Sequence, residues 1–398
     1  MKKILYIVDT YLTQYHSVRD ILIRFLKDRR IAQHNQVIAH INGYSFLKIE
    51  KSNQEGFVYY TAHHKKLRRL LKGKNFFKNF FLLIKQIYYY ILKKLGLNSN
   101  NELANRNYLK KIIKKEKPDI IFFYTFSPRA DLAKMCKKLK LPYIQVLYDT
   151  YITRPDVNFE IGLKNEMYVM DNSIGYFVPK HVYKEYLSIY KNKRFTWYEY
   201  PLIIDKELVE NTYMCNKDRL YDFTYLGQIQ TFRNGNRVKE ILKQLDLTLH
   251  IFCIDNYQNQ EGFVYHPGVT GQELYNVIVQ SKFLVVFDNS VPYNNMLPSK
   301  AYSYVSFTKP IIVFGDNTES ALISFLQEYP CYYYHHFGDS LDGLIEFIKN
   351  NTQESAFNLE IYSKYSFATK EVAIAPIYDS IKNVYNRILI KSQKMYFV

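Results

Sequence analysis

The sequence is poor in cysteine and has no long hydrophobic run. Only four of its 398 residues are cysteine, and they form neither a CxxC pair nor a Cys/His cluster. This spacing argues against a zinc site and a disulfide framework, and it predicts a reducing, cytoplasmic environment. No apolar stretch approaches the roughly 20 residues that a membrane-spanning helix needs. The N-terminal apolar run ends at Asp9, so it predicts a first β-strand rather than a signal peptide.

Acidic residues are scarce in the first half of the chain. Residues 1–200 hold 37 Lys and Arg against 16 Asp and Glu, for a net charge of +21. Residues 201–398 hold 17 against 21, for a net charge of −4. An asymmetry of this kind indicates that the first half meets an anionic surface that the second half does not meet.

The segment 65–94 has no acidic residue, ten Lys or Arg, and seven Phe or Tyr. At helical spacing, its basic side chains gather on one side and its aromatic and aliphatic side chains on the other. This pattern is typical of a helix in the headgroup region of an anionic membrane, and it predicts a peripheral position on the inner face of the cell membrane. The alternatives are a surface helix docked on its own domain and a nucleic-acid-binding segment. No DNA- or RNA-binding motif supports the latter, so we expect no nucleic-acid partner.

Short apolar runs alternate with helix-length segments along the chain. The predicted strands are residues 4–10, 36–41, 118–124, 143–148, 175–178, 222–226, 247–254, 263–265, 283–287 and 310–314. This alternation predicts an α/β fold with parallel sheets that are covered on both faces, and the chain length predicts two domains. We place the first domain at residues 1–200, with a C-terminal helix at 375–398 packing back on it, and the second domain at 201–374.

A Pro-Ser-Lys turn within NNMLPSKAYSYVSFTKPIIVF, residues 294–314, precedes a helix-length segment and then a Lys-Pro that starts an apolar run. In an α/β domain, this order places a helix N-terminus where a strand ends. Unpaired backbone amides at that point favour an anion, and Lys300 adds a full positive charge. A diphosphate is a natural occupant. The alternative is an ordinary connection between a helix and a strand.

The same segment resembles the donor-binding signature of GT-B glycosyltransferases, in particular the large retaining family 4 and family 1-like bacterial enzymes. In that signature, a Pro-x-Lys turn leads into a helix, and Gly-Lys-Pro precedes the next strand. Pro298, Ser299, Lys300, Lys309 and Pro310 match it. The resemblance implies a GT-B fold, in which two doubly wound Rossmann-like domains face a central cleft and the second domain holds a nucleotide-sugar donor.

Several positions depart from this pattern. The family carries two glutamates that contact the donor sugar and the ribose hydroxyls, and Asn295 and Ser303 stand in their places. Thr308 stands where a glycine is usual, and Tyr148 replaces the histidine that often precedes the position of Asp149. Neutral Asn and Ser side chains bind hydroxyl groups less strongly than carboxylates do. The alternatives are therefore a pocket that holds its donor differently and a copy that has lost activity.

The loop after the predicted strand 222–226 carries Gly227, Gln228, Arg233 and Arg237. Glycine lets the backbone approach a ligand closely, and the arginine fork matches phosphate oxygens. In the resembled family, this loop carries a glycine and a basic residue that neutralises the donor diphosphate, and Gly227 and Arg233 fit those positions. Arg237 alternatively begins the next helix and points to solvent.

The remaining candidates lie at other strand ends. His266 and Gly268 resemble the segment near the nucleotide base, although a plain turn is the alternative. On the acceptor side, Asp149 is a candidate either to hydrogen-bond the sugar or to act as a base, and Asp9 is the rival base in an inverting mechanism. A buried or helix-capping aspartate is the alternative for both. The predicted catalytic set is Asp149, Asp9, Lys300 and Arg233. The predicted donor contacts are Gly227, Gln228, Arg233, Arg237, His266, Gly268, Asn295, Ser299, Lys300 and Ser303.

These residues predict an enzyme of the hexosyltransferase type that moves a sugar from a nucleotide-diphosphate sugar to a lipid-linked or cell-surface glycan in bacterial polysaccharide or capsule synthesis. Basic residues stabilise the charge that develops on the leaving diphosphate, and no DxD-like motif ends a strand, so we expect no metal and no cofactor besides the donor co-substrate. The resembled motif implies retention of configuration. The alternatives are an inactive GT-B-like partner subunit or glycan-binding protein, and a nucleic-acid-binding protein. A homo- or hetero-oligomer is left open.

Overall fold

The structure is a computed structural model that describes most of the chain from residue 99 onward and parts of the first 64 residues. No helix within these ranges is long and apolar enough to cross a membrane. The basic segment 65–94 and Tyr148 lie outside the described residues, so what was expected of them stays a prediction. The described residues are 3–9, 26, 35–40, 47–54, 57–64, 99–147, 149–154, 157–198, 206–216, 218–229, 233–253, 259, 261–351, 357–366 and 375–383.

The described strands form two separate sheets. The first has eight strands in the order β3-β4-β2-β1-β5-β6-β7-β8, and all its pairs are parallel except β3 with β4. These strands are β1 (Lys3–Val8), β2 (Asn35–His40), β3 (Leu47–Gln54), β4 (Phe57–His64), β5 (Ile120–Thr125), β6 (Tyr143–Leu147), β7 (Gly175–Pro179) and β8 (Thr196–Tyr198).

The second sheet is wholly parallel in its described part. Its six strands have the order β11-β10-β9-β12-β13-β14. They are β9 (Tyr221–Leu226), β10 (Leu249–Cys253), β11 (Phe263–Pro267), β12 (Ser281–Phe287), β13 (Ile311–Gly315) and β14 (Tyr332–His336). The predicted α/β class with two Rossmann-like sheets is thereby confirmed.

Helices connect the strands and cover the faces of both sheets. They are α1 (Ser99–Glu116), α2 (Ala130–Leu139), α3 (Phe159–Asn172), α4 (Lys180–Ile189), α5 (Lys206–Cys215), α6 (Gly235–Gln244), α7 (Gly271–Gln280), α8 (Lys300–Ser306), α9 (Ala321–Leu326), α10 (Asp342–Asn350) and α11 (Leu359–Ser366). Side chains alternate between the two faces of each strand. In β1, Ile4 and Tyr6 therefore enter one core cluster, and Leu5 and Ile7 enter the cluster on the opposite face.

Residues near the predicted domain limits are buried in the cores of the two sheets. Residues 375–383 are helical, and Ile377 and Ile381 are buried in the same cluster as Ile4 of the first sheet. Helix α5 begins shortly after the predicted boundary between residues 200 and 201, and its Val209 is buried in a core cluster of the second sheet. The exact limits of the two domains stay a prediction.

The ten predicted strands are confirmed, with ends that differ by at most two residues. The strands missed by sequence reasoning lie at or next to sheet edges: β3, β4, β8 and β14. Strand β3 reads LKIEKSNQ and has only two apolar residues. Because an edge strand is less buried than a central one, its sequence lacks the continuous apolar run that identifies a central parallel strand.

A buried carboxylate anchors helix α4 to the first sheet. Oε1 of Glu166 in α3 accepts hydrogen bonds from the hydroxyls of Tyr176 in β7, at 2.5 Å, and Tyr186 in α4, at 2.9 Å. Oε2 accepts a third from the Tyr190 hydroxyl. Burial raises the pKa of Glu166 to about 7, although the three hydroxyls act in the opposite direction. The backbone N–H of Tyr151 also donates to the Tyr186 hydroxyl, at 3.3 Å, so the loop after β6 is tied to the same helix.

We expect Glu166→Gln to remove a pH dependence of stability. Because the folded-state pKa of Glu166 lies above that of an unfolded chain, the folded protein binds the extra proton, and the free energy of unfolding falls as pH rises between the two values. The full difference is about 3 kcal/mol between about pH 4 and pH 7. Urea denaturation at several pH values measures it, with the exposed Glu207→Gln as the matched control. A constant stability difference between wild type and Glu166→Gln across this range would contradict the assignment.

Candidate functional site

Two basic side chains converge on one buried hydroxyl at the carboxyl edge of the second sheet. Tyr225, the penultimate residue of β9, is fully buried. Its Oη accepts hydrogen bonds from Lys300 Nζ at 3.0 Å and from Arg233 Nη1 at 2.8 Å, and it donates to the Gln228 carbonyl at 2.8 Å. We call Lys300 and Arg233 the basic pair. Sequence reasoning predicted both cations but not the tyrosine that brings them together.

Lys300 lies over the aromatic ring that it also hydrogen-bonds. Its Nζ is 4.4 Å from the centroid of the Tyr225 ring. Burial, with a smaller contribution from the positive charge of Arg233, holds the pKa of Lys300 well below its usual range. The Tyr225 pKa is raised by burial and lowered by Arg233, with a net rise, so its hydroxyl stays neutral. A neutral oxygen does not cancel the charge of either cation, whereas a carboxylate would. The basic pair is therefore suited to an anion.

Gly227, directly after β9, leaves room for the Lys300 ammonium. Its φ of +126° is one that side-chain-bearing residues rarely adopt, and a Cβ at this position would lie 3.3 Å from Lys300 Nζ. Its backbone N–H donates to the Phe252 carbonyl of the neighbouring strand at 2.8 Å, which fixes the start of the loop. The predicted close approach of backbone at Gly227 therefore has a local steric basis.

We expect Gly227→Ala to weaken binding of a nucleotide sugar by about tenfold or more, since the added methyl displaces the ammonium and strained backbone costs about 1–3 kcal/mol. Gly338→Ala is the matched control, because Gly338 has a φ of +106° but nothing within 4 Å of the added Cβ. Titration calorimetry and thermal melts separate the effects. Both variants should melt earlier, and only Gly227→Ala should bind more weakly. Equal affinities in the two variants would argue against the role of Gly227.

A buried polar network holds Arg233 in place. Arg233 Nε donates to Asn289 Oδ1 at 2.9 Å, and Asn289 is the second residue after β12. The neighbouring Asp288 carboxylate accepts hydrogen bonds from Asn317 Nδ2 at 2.7 Å and from the Tyr334 hydroxyl at 2.9 Å. Burial raises the pKa of Asp288. The available sequence signal was the Asp-Asn pair at the end of a predicted strand, but its role depends on residues that are distant in sequence.

Arg237 is separated from the basic pair by its contacts. It lies in helix α6, where its Nη1 donates to Asp316 Oδ2 at 2.7 Å and its guanidinium lies 4.4 Å from the centroid of the Phe337 ring. This pair is partly exposed to solvent. The alternative considered for Arg237, a position at the start of the next helix, matches its location. Its role in donor binding stays a prediction.

The Pro-Ser-Lys turn leads into helix α8, which has only seven residues. Ser299 is its N-cap residue, and its side chain makes no capping hydrogen bond. The first backbone amides are partly used, because the Ala301 N–H donates to the Pro298 carbonyl at 3.0 Å. The Lys300 side chain, rather than the helix N-terminus, is therefore the candidate for contact with an anion here. Ser303 lies one turn further along α8 and is partly exposed.

Two other positions of the resemblance are structural in this fold. Lys309 is fully buried at the amino end of β13, where its Nζ donates to the Ser281 carbonyl at 2.6 Å. Burial, followed by the charge of Arg219, lowers the pKa of Lys309 to about 7. Thr308 has a φ of +51°. Because the left-handed region favours glycine, this backbone geometry explains why a glycine is usual at the position of Thr308.

His266 lies in β11 at the far side of the second sheet. Its Nε2 is 2.9 Å from Nδ1 of His250, and its ring stacks on Phe252 with centroids 4.5 Å apart. Burial lowers the pKa of His266, which favours the neutral imidazole. Gly268 follows the strand and is exposed. Phe252 connects this group to the central site, since its carbonyl accepts from Gly227. Contact of His266 or Gly268 with a base stays a prediction.

The two candidate bases, Asp9 and Asp149, follow strands β1 and β6 of the first sheet. Asp9 Oδ2 accepts a hydrogen bond from the backbone N–H of Phe126, the residue after β5, at 2.8 Å. Asp149 Oδ1 accepts from the Thr150 N–H at 2.8 Å and is 3.8 Å from Nε2 of His181 in α4. The strands β1, β5 and β6 are adjacent, so both carboxylates lie at one edge of the sheet. Both accept hydrogen bonds from loop backbone amides rather than from a helix N-terminus, and their role as a base stays a prediction.

Asn295 contacts the first sheet's helices rather than the basic pair. Its Nδ2 donates to Oε1 of Glu185 in helix α4 at 3.1 Å. Tyr302 of α8 is buried in the same core cluster as Ile4 and Tyr6 of the first sheet. The segment between Asn295 and Tyr302, which includes Lys300, therefore lies where the two sheets' layers meet. Within the described ranges, no group of three or more His, Cys, Asp or Glu side chains is placed to hold a metal ion.

Neither any protein-family model nor any curated protein matches the sequence. Solved structures match over nearly the whole chain. Sucrose-phosphate synthase from Thermosynechococcus elongatus is similar with a TM-score of 0.62 at 9% identity, over 98% of this chain and 100% of its own. A UDP-forming α,α-trehalose-phosphate synthase from Burkholderia xenovorans has a TM-score of 0.56 at 11% identity, with 98% of each chain covered. UDP-GlcNAc 2-epimerase from Methanocaldococcus jannaschii has a TM-score of 0.51 at 12% identity, over 94% of this chain and 99% of its own. Together with the two parallel sheets, these similarities show that the chain has the GT-B fold.

Proposed function

We propose that the chain is a metal-independent glycosyltransferase that transfers a sugar from a nucleotide-diphosphate sugar to a glycan acceptor. The observation that carries this proposal is the convergence of Lys300 and Arg233 on the neutral hydroxyl of Tyr225, beside Gly227 at a strand end. In open α/β sheets, ligands bind beyond the carboxyl ends of the strands. Two structural neighbours, a UDP-forming trehalose-phosphate synthase and a UDP-GlcNAc 2-epimerase, support a nucleoside diphosphate as the ligand.

The basic pair acts on the leaving group. When the bond between the sugar and the diphosphate breaks, negative charge develops on the departing diphosphate. Lys300 and Arg233 are held in position by Tyr225 and Asn289 before the ligand arrives, so little reorganisation is needed as the charge forms. One preorganised donor of this kind contributes about 10²–10³-fold in rate. No step of this account requires a metal ion.

The first domain binds the acceptor and supplies a carboxylate that contacts it. Asp149 and Asp9 are the candidates, and both lie at the carboxyl edge of the first sheet. The acceptor is a lipid-linked or cell-surface glycan in a bacterium, which agrees with the excess of basic residues in the first half of the chain. Retention of configuration is part of the proposal, and NMR of the product's anomeric proton tests it.

A screen of nucleotide sugars tests the proposed activity. The purified protein is incubated with each donor in the presence of a chelator, and release of the nucleoside diphosphate is measured with and without a glycan acceptor. We expect one donor to be consumed, with EDTA having no effect. If no nucleotide sugar is consumed or bound, the inactive partner-subunit alternative replaces the enzyme.

Membrane binding is proposed to depend on the segment 65–94. We expect replacement of Lys74, Lys78, Lys85 and Lys93 by glutamine to lower the partition coefficient for anionic liposomes by about 10²-fold or more at low salt, since each basic residue near such a surface contributes about 1 kcal/mol. Co-sedimentation with phosphatidylserine vesicles measures it. A variant with four lysines of residues 201–398 replaced is the control. Equal losses in the two variants, or selective binding of RNA, would contradict the proposal.

A further inference from the structure

Helix α4 of the first sheet presents two titratable side chains on one face. His181 and Glu185 are four residues apart, so they are neighbours along the same side of the helix. Both are partly buried. The hydrogen bonds of Tyr186 and Tyr190 to Glu166 hold the helix in place. His181 and Glu185 do not take part in these hydrogen bonds.

Glu185 reaches across to the second domain. Its Oε1 accepts the hydrogen bond from Asn295 Nδ2 at 3.1 Å, and its carboxylate also accepts one from the Thr153 side chain. Burial raises the pKa of Glu185, while these two hydrogen bonds and the nearby His181 act in the opposite direction. An ionised carboxylate can accept about four hydrogen bonds. Glu185 therefore has capacity for further donors besides Asn295 and Thr153.

His181 connects this carboxylate with a candidate base. Its Nε2 is 3.8 Å from Asp149 Oδ1. The hydroxyls of Thr150 and Thr153 are 2.7 Å apart in the loop that follows Asp149, and Thr153 in turn hydrogen-bonds Glu185. Hydrogen bonds therefore connect the loop after β6, through Thr153 and Glu185 of α4, to Asn295 in the second domain.

The same loop of the second domain leads to the basic pair. Asn289, which holds Arg233, also donates from Nδ2 to the carbonyl of Met296 at 2.8 Å. Met296 adjoins Asn295, the partner of Glu185. One short loop, residues 289–296, therefore links the carboxylate of the first domain to the guanidinium that is proposed to bind the diphosphate. In the proposed donor, the sugar is attached to that diphosphate.

We propose that Glu185 binds a hydroxyl group of the donor sugar, so that the first domain supplies a carboxylate to the donor pocket. This inference rests on the proposed function and deepens it. Sugar hydroxyls are donors that a carboxylate accepts in short, charge-assisted hydrogen bonds. The neutral side chains of Asn295 and Ser303 do not offer such an acceptor. The donor pocket is then complete only when both domains contribute to it.

The test compares two ligands in one variant. We expect Glu185→Gln to weaken binding of the nucleotide sugar by about 10- to 100-fold, because a hydrogen bond to a charged group is lost. The affinity of Glu185→Gln for the matching nucleoside diphosphate, which lacks the donor sugar, should stay within about twofold of wild type. Titration calorimetry measures both, and a thermal melt checks the fold. The exposed Glu207→Gln is the control and should change neither affinity.

Each other outcome overturns the inference. Equal weakening of both ligands would show that Glu185 and Asn295 only hold the two domains together. Unchanged affinity for the nucleotide sugar would show that the carboxylate does not reach the sugar, while the proposed function would stand. If wild-type protein binds neither ligand, the proposed function fails and this inference fails with it.

Discussion

Replacement of Lys300 by methionine is expected to lower sugar transfer by about 10²–10³-fold, because the variant loses one of the two preorganised side chains that are proposed to meet the leaving diphosphate. Methionine keeps most of the side-chain length, so Tyr225 and Gly227 keep their packing. Stability should be unchanged or higher, since burial disfavours the charged form of Lys300. Initial rates of nucleoside diphosphate release and a thermal melt measure the two effects.

Lys243→Met is the matched control for Lys300→Met. Lys243 is an exposed lysine of the same domain, paired with Glu261 at 2.9 Å, and its replacement should leave the rate unchanged. Wild-type activity in Lys300→Met would contradict the site. So would an equal loss of activity in both variants, since it would point to a general effect of charge.

The lowered pKa of Lys300 predicts that wild-type protein takes up a proton when a diphosphate binds, and that Lys300→Met does not. An approaching diphosphate stabilises the ammonium and raises the pKa of Lys300, so the complex binds a proton at pH values between the free and bound pKa. Affinity therefore falls as pH rises through the pKa of the free protein. Calorimetry in buffers with different ionisation enthalpies should detect proton uptake in wild type and none in Lys300→Met.

Replacement of Arg233 by alanine is expected to lower transfer by about 10²-fold, because its fork, which is proposed to contact the diphosphate, is held in place by Asn289 and Tyr225. Arg233→Lys should restore little, since an ammonium lacks the planar donors that bind two oxygen atoms at once. Steady-state kinetics with the donor varied measure both.

Arg237→Ala provides the contrast within the same segment. The guanidinium of Arg237 is already paired with Asp316 and lies against Phe337, so its loss should change the rate by less than about threefold. If Arg237→Ala were as harmful as Arg233→Ala, the diphosphate would have to lie nearer to α6 than the basic pair indicates.

The central strands were predictable because they are buried on both faces. Continuous apolar runs such as IIFFYT in β5 and IIVFG in β13 identify such strands without knowledge of their neighbours. The edge strands β3 and β14 escaped prediction, since a partly exposed strand carries polar residues that a loop also carries. Helix α4 was missed as well, although it holds Glu185.

The site was predictable only where local chemistry marked it. Gly227, Arg233 and Lys300 follow strands in sequence and have types that bind phosphate. Tyr225 was not recognisable, because it lies within a strand, and its role comes from Lys300, 75 residues away. Glu185 and Asn295 are 110 residues apart, and only folding of both domains brings them together. A match to the GT-B signature also does not fix a residue's role. Lys309 matches it, as Lys300 does, but Lys309 is fully buried and donates to the Ser281 carbonyl.

The most direct test of the account compares a nucleoside diphosphate with the corresponding monophosphate by titration calorimetry, using the base that the donor screen selects. Wild-type protein should bind the diphosphate about tenfold or more tightly than the monophosphate, and Lys300→Met should lose that preference. Equal affinities of wild type for the two nucleotides would contradict the assignment of Lys300 and Arg233 as a diphosphate site.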